Sequence, residues 1–177
     1  LIVTGVQTCA LPIWFQGDLR ELARRMPAYL REAEERGDCF AITNLRTQVT
    51  PLAYLAQDDA ENARLEVLAG LARWGQKGFH FQHFQGMYSL AMVDLYADQG
   101  TAAYEQLVAA QKQISKTLVM MQIQVVRVQG TEVFGRAALA ALAGPRTAAG
   151  GRSRQAAPRQ RRSGGCSASR RRGDMRR

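Results

Sequence analysis

The sequence has few of the residues from which enzyme sites are built. It contains two histidines and three cysteines, and no two of its 16 glycines are spaced as Gly-x-Gly. It also has no Gly-Lys-Ser or Gly-Lys-Thr, so the phosphate-binding loops of nucleotide enzymes are absent. These absences exclude a complete kinase, cyclase or other nucleotide-binding enzyme.

Long apolar runs are absent as well. None reaches the roughly 18 residues needed to cross a bilayer. The apolar start, Leu1-Ile2-Val3, lacks the basic segment that opens a signal peptide. We therefore expect a protein that is neither inserted into a membrane nor exported.

Charge is unevenly distributed along the chain. Of the 24 basic and 15 acidic residues, 11 arginines and one acid, Asp174, lie in Gly144–Arg177, which leaves 13 basic and 14 acidic residues in 1–143. The same segment has no Val, Ile, Leu, Phe, Trp or Tyr, so it cannot offset its ordering entropy by apolar burial. We expect a disordered Arg-rich tail over residues 144–177.

The origin of this tail has two interpretations. Arg outnumbers Lys 21 to 3 in the chain, which is typical of GC-rich DNA, and a shifted reading frame through such DNA yields mostly Arg, Ala, Gly, Pro and Ser. This composition favours a frameshift or read-through product. The alternative is a genuine basic arm that binds nucleic-acid phosphates, with an affinity that falls steeply as salt rises.

The other end of the chain resembles a translated sequencing adapter. Val3–Ile13, VTGVQTCALPI, matches an in-frame reading of a short-read adapter, and the one base left over fits the codon of Trp14. We therefore interpret residues 1–13 as an adapter artefact and exclude them from the fold argument. The credible domain covers residues 14–143.

Within this domain, apolar residues recur every three or four positions, which predicts helices. Asp18 followed by Glu21 predicts a capping box at the first helix, and Gly37 predicts its end. Pro27 and Pro51 predict bends or restarts. The further helices are predicted from about 39 to 56, 59 to 74, 80 to 97 and 101 to 118, and from there to 143.

One stretch of the last predicted helix is ambiguous. The β-branched residues of QIQVVRVQ, residues 122–129, partly alternate and fit a strand equally well by propensity. No second strand candidate exists for it to pair with, so we predict helix.

A weak internal repeat is also present. The shift that places Gly37 on Gly78 also aligns Phe40 with Phe81. A repeat of this length predicts an all-α fold in which antiparallel helix pairs stack as a short tetratricopeptide-like solenoid.

Each candidate for chemistry also has a structural interpretation, which we favour. His80 and His83 lie one helical turn apart, but a zinc site needs further ligands. Cys39 is the one cysteine of the domain, and a nucleophilic cysteine needs a base within reach. The acidic cluster, Asp58 to Glu61, favours a helix dipole without any catalytic duty. We predict no catalytic, cofactor-binding or metal-binding residue.

An apolar ligand groove is a further alternative to simple core packing. Methionine and phenylalanine at helical spacing are core residues in most cases, and this set could instead line a groove. It comprises Phe79, Phe81, Phe84, Met87, Met92, Met120 and Met121.

Three segments resemble the C-terminal helical-repeat region of large bacterial serine/threonine protein kinases of eukaryotic type. They are LREAEERGDCFAITNLRT (Leu30–Thr47), GFHFQHFQGMYSLAMVDLYADQGTAAYEQL (Gly78–Leu107) and QVVRVQGTEVFGRAALAALA (Gln124–Ala143). The matching positions are His80, Gln82, His83, Asp94, Leu95, Tyr96 and Arg136 to Ala141. The resemblance covers residues 18–143, and the chain departs from the pattern at Gly144.

The resemblance implies a non-catalytic scaffold or sensory fragment of a cytoplasmic signalling kinase. Such a module presents a helical surface to a protein partner or to the rest of its own parent chain. No kinase motif is present, so no kinase residue can be carried over. We expect no cofactor and no membrane partner, and we expect self-association through uncapped repeat ends. The alternative function is nucleic-acid binding by the basic tail.

Overall fold

The chain is all-helical in its computed structural model, which describes residues 5–75, 77–114 and 122–144. These residues contain no strand, so the predicted all-α class is confirmed for them. The predicted disorder of the tail falls on residues outside the described ranges. The helices are α1 (Gly5–Gln16), α2 (Leu19–Glu35), α3 (Cys39–Asn44), α4 (Thr50–Leu55), α5 (Ala60–Arg73), α6 (Phe81–Tyr96), α7 (Gly100–Ile114) and α8 (Gln124–Ala143).

Aspartate caps start three of these helices. The Asp18 carboxylate accepts the Glu21 amide at 3.0 Å, and Asp38 and Asp59 cap α3 and α5 in the same way. The capping box at α2 is only half formed, because the Glu21 carboxylate accepts hydrogen bonds from Arg24 and Arg25 instead of the Asp18 amide. These two guanidinium groups lower the pKa of Glu21 to about 2.

The turns between helices recur at a nearly constant interval. A residue with positive φ precedes each of α2, α3, α5, α6 and α7, and the intervals between these residues are 20, 21, 20 and 20 positions. Left-handed backbone is accessible to Gly and, less readily, to Asp. The five residues are Gly17, Gly37, Asp58, Gly78 and Asp98. Two successive intervals, which together contain one pair of helices, separate Gly37 from Gly78. This separation equals the shift of the weak internal repeat in the sequence.

Pro51 produces the one interruption of α-helical geometry between α3 and α4. A π-helical turn, Leu45–Val49, joins these helices, and the Thr50 amide donates to the Leu45 carbonyl. Pro51 has no amide hydrogen to offer the Thr47 carbonyl one turn earlier, and its ring pushes that carbonyl aside. The Ser89 hydroxyl from α6 donates to this freed carbonyl at 2.6 Å. The predicted bend at Pro51 is thus a π turn that α6 completes.

Two details differ from the sequence-based expectation. The helix α2 runs unbroken through Pro27, so the predicted restart there is wrong. The apolar spacing of Ala63, Val67 and Leu68 predicts Leu68 in the core, yet Leu68 is 48 % exposed. The reason is that it lies about 100° around α5 from the buried face. The ambiguous stretch at Val125 to Val128 is part of α8, as predicted.

The buried side chains form two main clusters in sequence order. The first joins α1 and α2 to α3 and the π turn through residues such as Leu22, Met26 and Ile42. The second joins α6 to α7 and α8 through Phe84, Leu107 and others. Between them, α5 packs against both the π turn and α6.

The predicted domain start at residue 14 lies inside α1. Ala10 is fully buried in the first cluster, and Ile13 and Trp14 pack against it. These contacts describe how this chain folds, whereas the adapter interpretation concerns the DNA that encodes it. The boundaries at 13 and 143 stay predictions.

Candidate functional site

An apolar cleft opens between α6, α7 and α8, next to the second cluster. Its volume is about 550 Å³, which lies within the range of small-ligand and side-chain pockets. Its floor is buried, since Phe84 and Leu107 are each 1 % exposed. The lining residues are Phe84, Met87, Tyr104, Leu107, Gln111, Ile114, Val126, Arg127, Gly130, Thr131, Phe134, Gly135 and Ala138.

The cleft has an aromatic wall and a small polar rim. Tyr104 and Phe134 meet edge to face across it, with ring centroids 5.7 Å apart. Thr131 donates its hydroxyl hydrogen to the Arg127 carbonyl at 2.8 Å, so its rim position is fixed. Arg127 is the only charged residue among the lining residues. This composition suits binding of apolar groups next to an anion rather than acid–base chemistry.

The groove expected from the sequence corresponds to this cleft only in part. Phe84 and Met87 line it, whereas Phe79, Phe81 and Met92 pack around the same cluster. Met120 and Met121 lie outside the described residues. Helical spacing identified the right cluster of residues, but the cleft also depends on Tyr104, Phe134 and the two glycines of α8.

His80 and His83 together form the start of α6. The His80 amide donates to His83 Nδ1 at 3.0 Å, and the Trp74 indole donates to His80 Nδ1 at 3.1 Å. Because both Nδ1 atoms accept hydrogen bonds, the proton of each neutral ring lies on Nε2, which leaves no Nε2 lone pair for a metal. Burial, reinforced by His80, lowers the pKa of His83 below its usual value.

The other candidates of the sequence lie apart from the cleft. Asp59 caps α5, and its hydrogen bonds from Asn62 lower its pKa. Asp58 accepts the Tyr96 hydroxyl at 2.7 Å, which raises the pKa of Tyr96. Cys39 is exposed at the start of α3. Within the described ranges, no three His, Cys, Asp or Glu side chains gather as a metal site.

Sequence reasoning missed two charged clusters. Asp94 on α6 is 4 % exposed and pairs with Arg64 of α5. Arg46 of the π turn pairs with Glu34 at 3.0 Å and lies 3.5 Å from Glu66. A lone Asp within the apolar run of α6 was a signal for the first cluster, because a buried carboxylate needs a partner.

The two partners of Arg46 help to line a second cavity of about 490 Å³ between α2, α4 and α5. Glu34, Glu66 and Thr50 are among its lining residues. The Thr50 hydroxyl is buried without a hydrogen-bond partner. We assign this cavity no ligand, because Glu34 and Glu66 already pair with Arg46.

Among the described helices, none combines the length and apolar character of a membrane span. The chain matches no family model, no curated protein and no solved structure.

Proposed function

We propose that this chain is a non-catalytic helical-repeat scaffold that binds a protein partner in the cleft between α6, α7 and α8. The observation that carries the proposal is the cleft itself. It offers an apolar floor, an aromatic wall and one cation, Arg127, at the rim. Such a recess fits the apolar face of a partner helix with an acidic residue at its edge, the usual mode of helix-in-groove recognition.

The arrangement of helices supports a repeat scaffold. Turns recur at nearly equal intervals, and α5, α6, α7 and α8 each pack against the next along the chain. A unit of two helices that packs against its sequence neighbours is the building block of tetratricopeptide-like solenoids. We propose a short solenoid on this basis.

The parent protein in this proposal is a cytoplasmic signalling kinase. It is supported by the resemblance of Leu30–Thr47, Gly78–Leu107 and Gln124–Ala143 to the helical-repeat region of such kinases. The partner is then either another protein or the rest of the parent chain.

Peptide selection on the purified full chain tests the cleft. We expect a random helical peptide library to yield apolar peptides with an acidic flank. Ala138→Phe fills the cleft and should weaken their binding at least about tenfold, as expected for a blocked central contact. Ala109→Phe adds the same ring at an exposed site on the far side of α7 and should leave binding unchanged. Peptides that bind both variants equally would rule out the cleft.

Long-read sequencing of the source locus tests the parentage. We expect the upstream DNA to lead back to a kinase domain, and a one-base correction near Gly144 to restore helical sequence. A locus that encodes this start and this Arg-rich tail would refute the kinase proposal and leave nucleic-acid binding as the function to test.

A further inference from the structure

The last helix, α8, is apolar on two opposite faces. Its inner face, with Val126, Val133 and Ala137, is buried against α6 and α7. Its outer face carries Val125, Val128, Leu139 and Leu142, which are 37 %, 61 %, 70 % and 85 % exposed. Four uncovered aliphatic side chains on one helix face indicate an interface.

The outer face follows a regular seam. Its positions are 125, 128, 132, 135, 139 and 142, with alternating steps of three and four residues. This is the spacing by which one helix packs along another in a coiled coil. A helix, rather than a loop or a sheet edge, is therefore the shape that fits this face.

The seam also has the symmetry of a two-fold interface. When a second α8 lies antiparallel with its centre between residues 133 and 134, Val125 meets the second copy's Leu142 and Val128 meets its Leu139. In the same register, Glu132 meets Gly135. Each of these contacts therefore occurs twice, once in each direction between the two copies. This is the defining property of an isologous interface.

The polar centre of the seam is complementary in size and charge. A Cβ at Gly135 would meet no atom within 4 Å, so packing inside the chain does not require a glycine there. Glycine inside a helix is unfavourable, and a second copy gives it a role because it leaves room for the opposing Glu132. Arg136 pairs with Glu132 of its own chain at 2.8 Å. In the dimer it also lies next to the opposing Glu132, so the two copies can share their ion pairs.

We propose that two copies of this chain associate antiparallel through the outer face of α8. Residues 144–177 contain no Val, Ile, Leu, Phe, Trp or Tyr, so they offer this face no large aliphatic or aromatic cover. The aliphatic contacts of the proposal do not depend on the partner cleft, because Val125, Val128, Leu139 and Leu142 lie outside its lining, whereas Gly135 borders both surfaces.

Sedimentation equilibrium of the full chain tests the association. We expect the mass of two chains at micromolar concentration. Leu139→Glu places two carboxylates in the apolar seam and should raise the dissociation constant at least about tenfold. Leu65→Glu makes the same change at a site on α5 that is 55 % exposed and should leave the dimer intact. A monomer at 100 µM in the wild-type chain, or a dimer insensitive to Leu139→Glu, would overturn the proposal.

Cysteine cross-linking tests the antiparallel register. In a background with Cys9, Cys39 and Cys166 changed to serine, Val128→Cys and Leu139→Cys chains are mixed and oxidised. We expect the mixed disulfide between them. Two copies of residue 128 lie about 16 Å apart along the axis in this register, so Val128→Cys alone should not cross-link. Efficient cross-linking of Val128→Cys to itself would refute the antiparallel arrangement.

Exchanging the charges of Glu132 and Arg136 distinguishes a specific interface from nonspecific apolar association. Glu132→Arg should weaken the dimer because it brings a second guanidinium next to Arg136 of the second copy. It also removes the acceptor of the Tyr88 hydroxyl and of Arg136 within its own chain. The double variant Glu132→Arg with Arg136→Glu should restore it. Circular dichroism of each variant confirms that the helices are retained. A double variant no tighter than the single one would show that the shared ion pairs do not form and would contradict this register.

Discussion

At the scale of single residues, the hydrogen bonds of a side chain show which of its possible roles it has in the fold. His80 and His83 have the spacing of a partial metal site, yet their Nδ1 atoms accept hydrogen bonds from the Trp74 indole and the His80 amide. A protonated imidazole has no acceptor nitrogen. The hydrogen bond from the His80 amide at the start of α6 therefore requires the His83 ring to be neutral.

This requirement predicts a pH dependence of stability. The pKa of His83 is lowered in the folded chain from its ordinary value of 6.5. The unfolded chain therefore binds more protons than the folded chain once the pH falls below that value. The free energy of unfolding should fall as the pH decreases through 6.5 toward the lowered folded pKa. Urea denaturation at pH 7.5 and 5.5 measures the change.

A matched variant isolates His83 in that experiment. His83→Asn keeps an acceptor near the position of Nδ1 but does not titrate. We expect it to reduce the difference in unfolding free energy between the two pH values. An unchanged difference in this variant would assign the pH dependence to other groups.

The pairing of Arg64 with the buried Asp94 is a second effect at this scale. The Arg64 side chain is 38 % exposed and that of Asp94 is 5 % exposed. Arg64→Met should lower the free energy of unfolding by about 1–3 kcal/mol, the usual cost of leaving a buried acceptor without its partner. Arg24→Met removes an exposed ion pair on α2 and should cost clearly less than Arg64→Met, because solvent screens exposed pairs. Equal losses in urea denaturation would show that the pair contributes no more than a surface contact.

At the scale of helices, boundaries follow local chemistry, whereas interruptions involve neighbours. Asp18, Asp38 and Asp59 cap their helices with carboxylates that reach amides three residues ahead, and the sequence pattern locates these starts correctly. The π turn before Pro51 could be foreseen only as a bend, because its completion depends on Ser89, 42 residues away.

The π turn predicts a coupling between two substitutions. Ser89→Ala removes the donor to the Thr47 carbonyl and should cost about 1 kcal/mol of unfolding free energy. In a Pro51→Ala background, the new amide of residue 51 can donate to that carbonyl, so Ser89→Ala should cost much less. A double-mutant cycle by urea denaturation measures the coupling. Additive losses would show that Ser89 acts independently of Pro51.

Close approach between helices is another property set by neighbours. A Cβ at Gly100 would lie 2.7 Å from the backbone of Ala140, whereas one at Gly130 would make only an ordinary contact with Phe84. Both positions are glycine, and the sequence does not show which of the two requires one. The packing of α7 on α8 makes only the first of them obligatory.

At the scale of the whole molecule, charge and apolar content divide the chain into two parts. The helical part has 13 basic and 14 acidic residues up to residue 143, and the remainder carries 11 arginines and no Val, Ile, Leu, Phe, Trp or Tyr. All described residues belong to one compact unit that ends at Arg146. We therefore expect the helical part to fold through its own apolar contacts.

Truncation after Gly144 tests this division. We expect the thermal unfolding midpoint, followed by circular dichroism, to change little, because the removed residues include no Val, Ile, Leu, Phe, Trp or Tyr and so have little apolar area to bury. Binding of the full chain to duplex DNA in gel-shift assays should weaken steeply with salt, and the truncated chain should not bind. If the truncated chain still binds DNA, the DNA-binding surface lies on the helices and not on the tail.

The sequence by itself determined the helical class, the start of α2 and the segregation of charge, because periodicity, caps and composition act through near neighbours in the chain. Only the tertiary structure decided that Arg64 meets Asp94, that Ser89 completes the π turn and that a cleft opens beside Arg127. These features join residues far apart in sequence. The distances between these residues depend on how the helices pack, and the packing depends on all the buried side chains together.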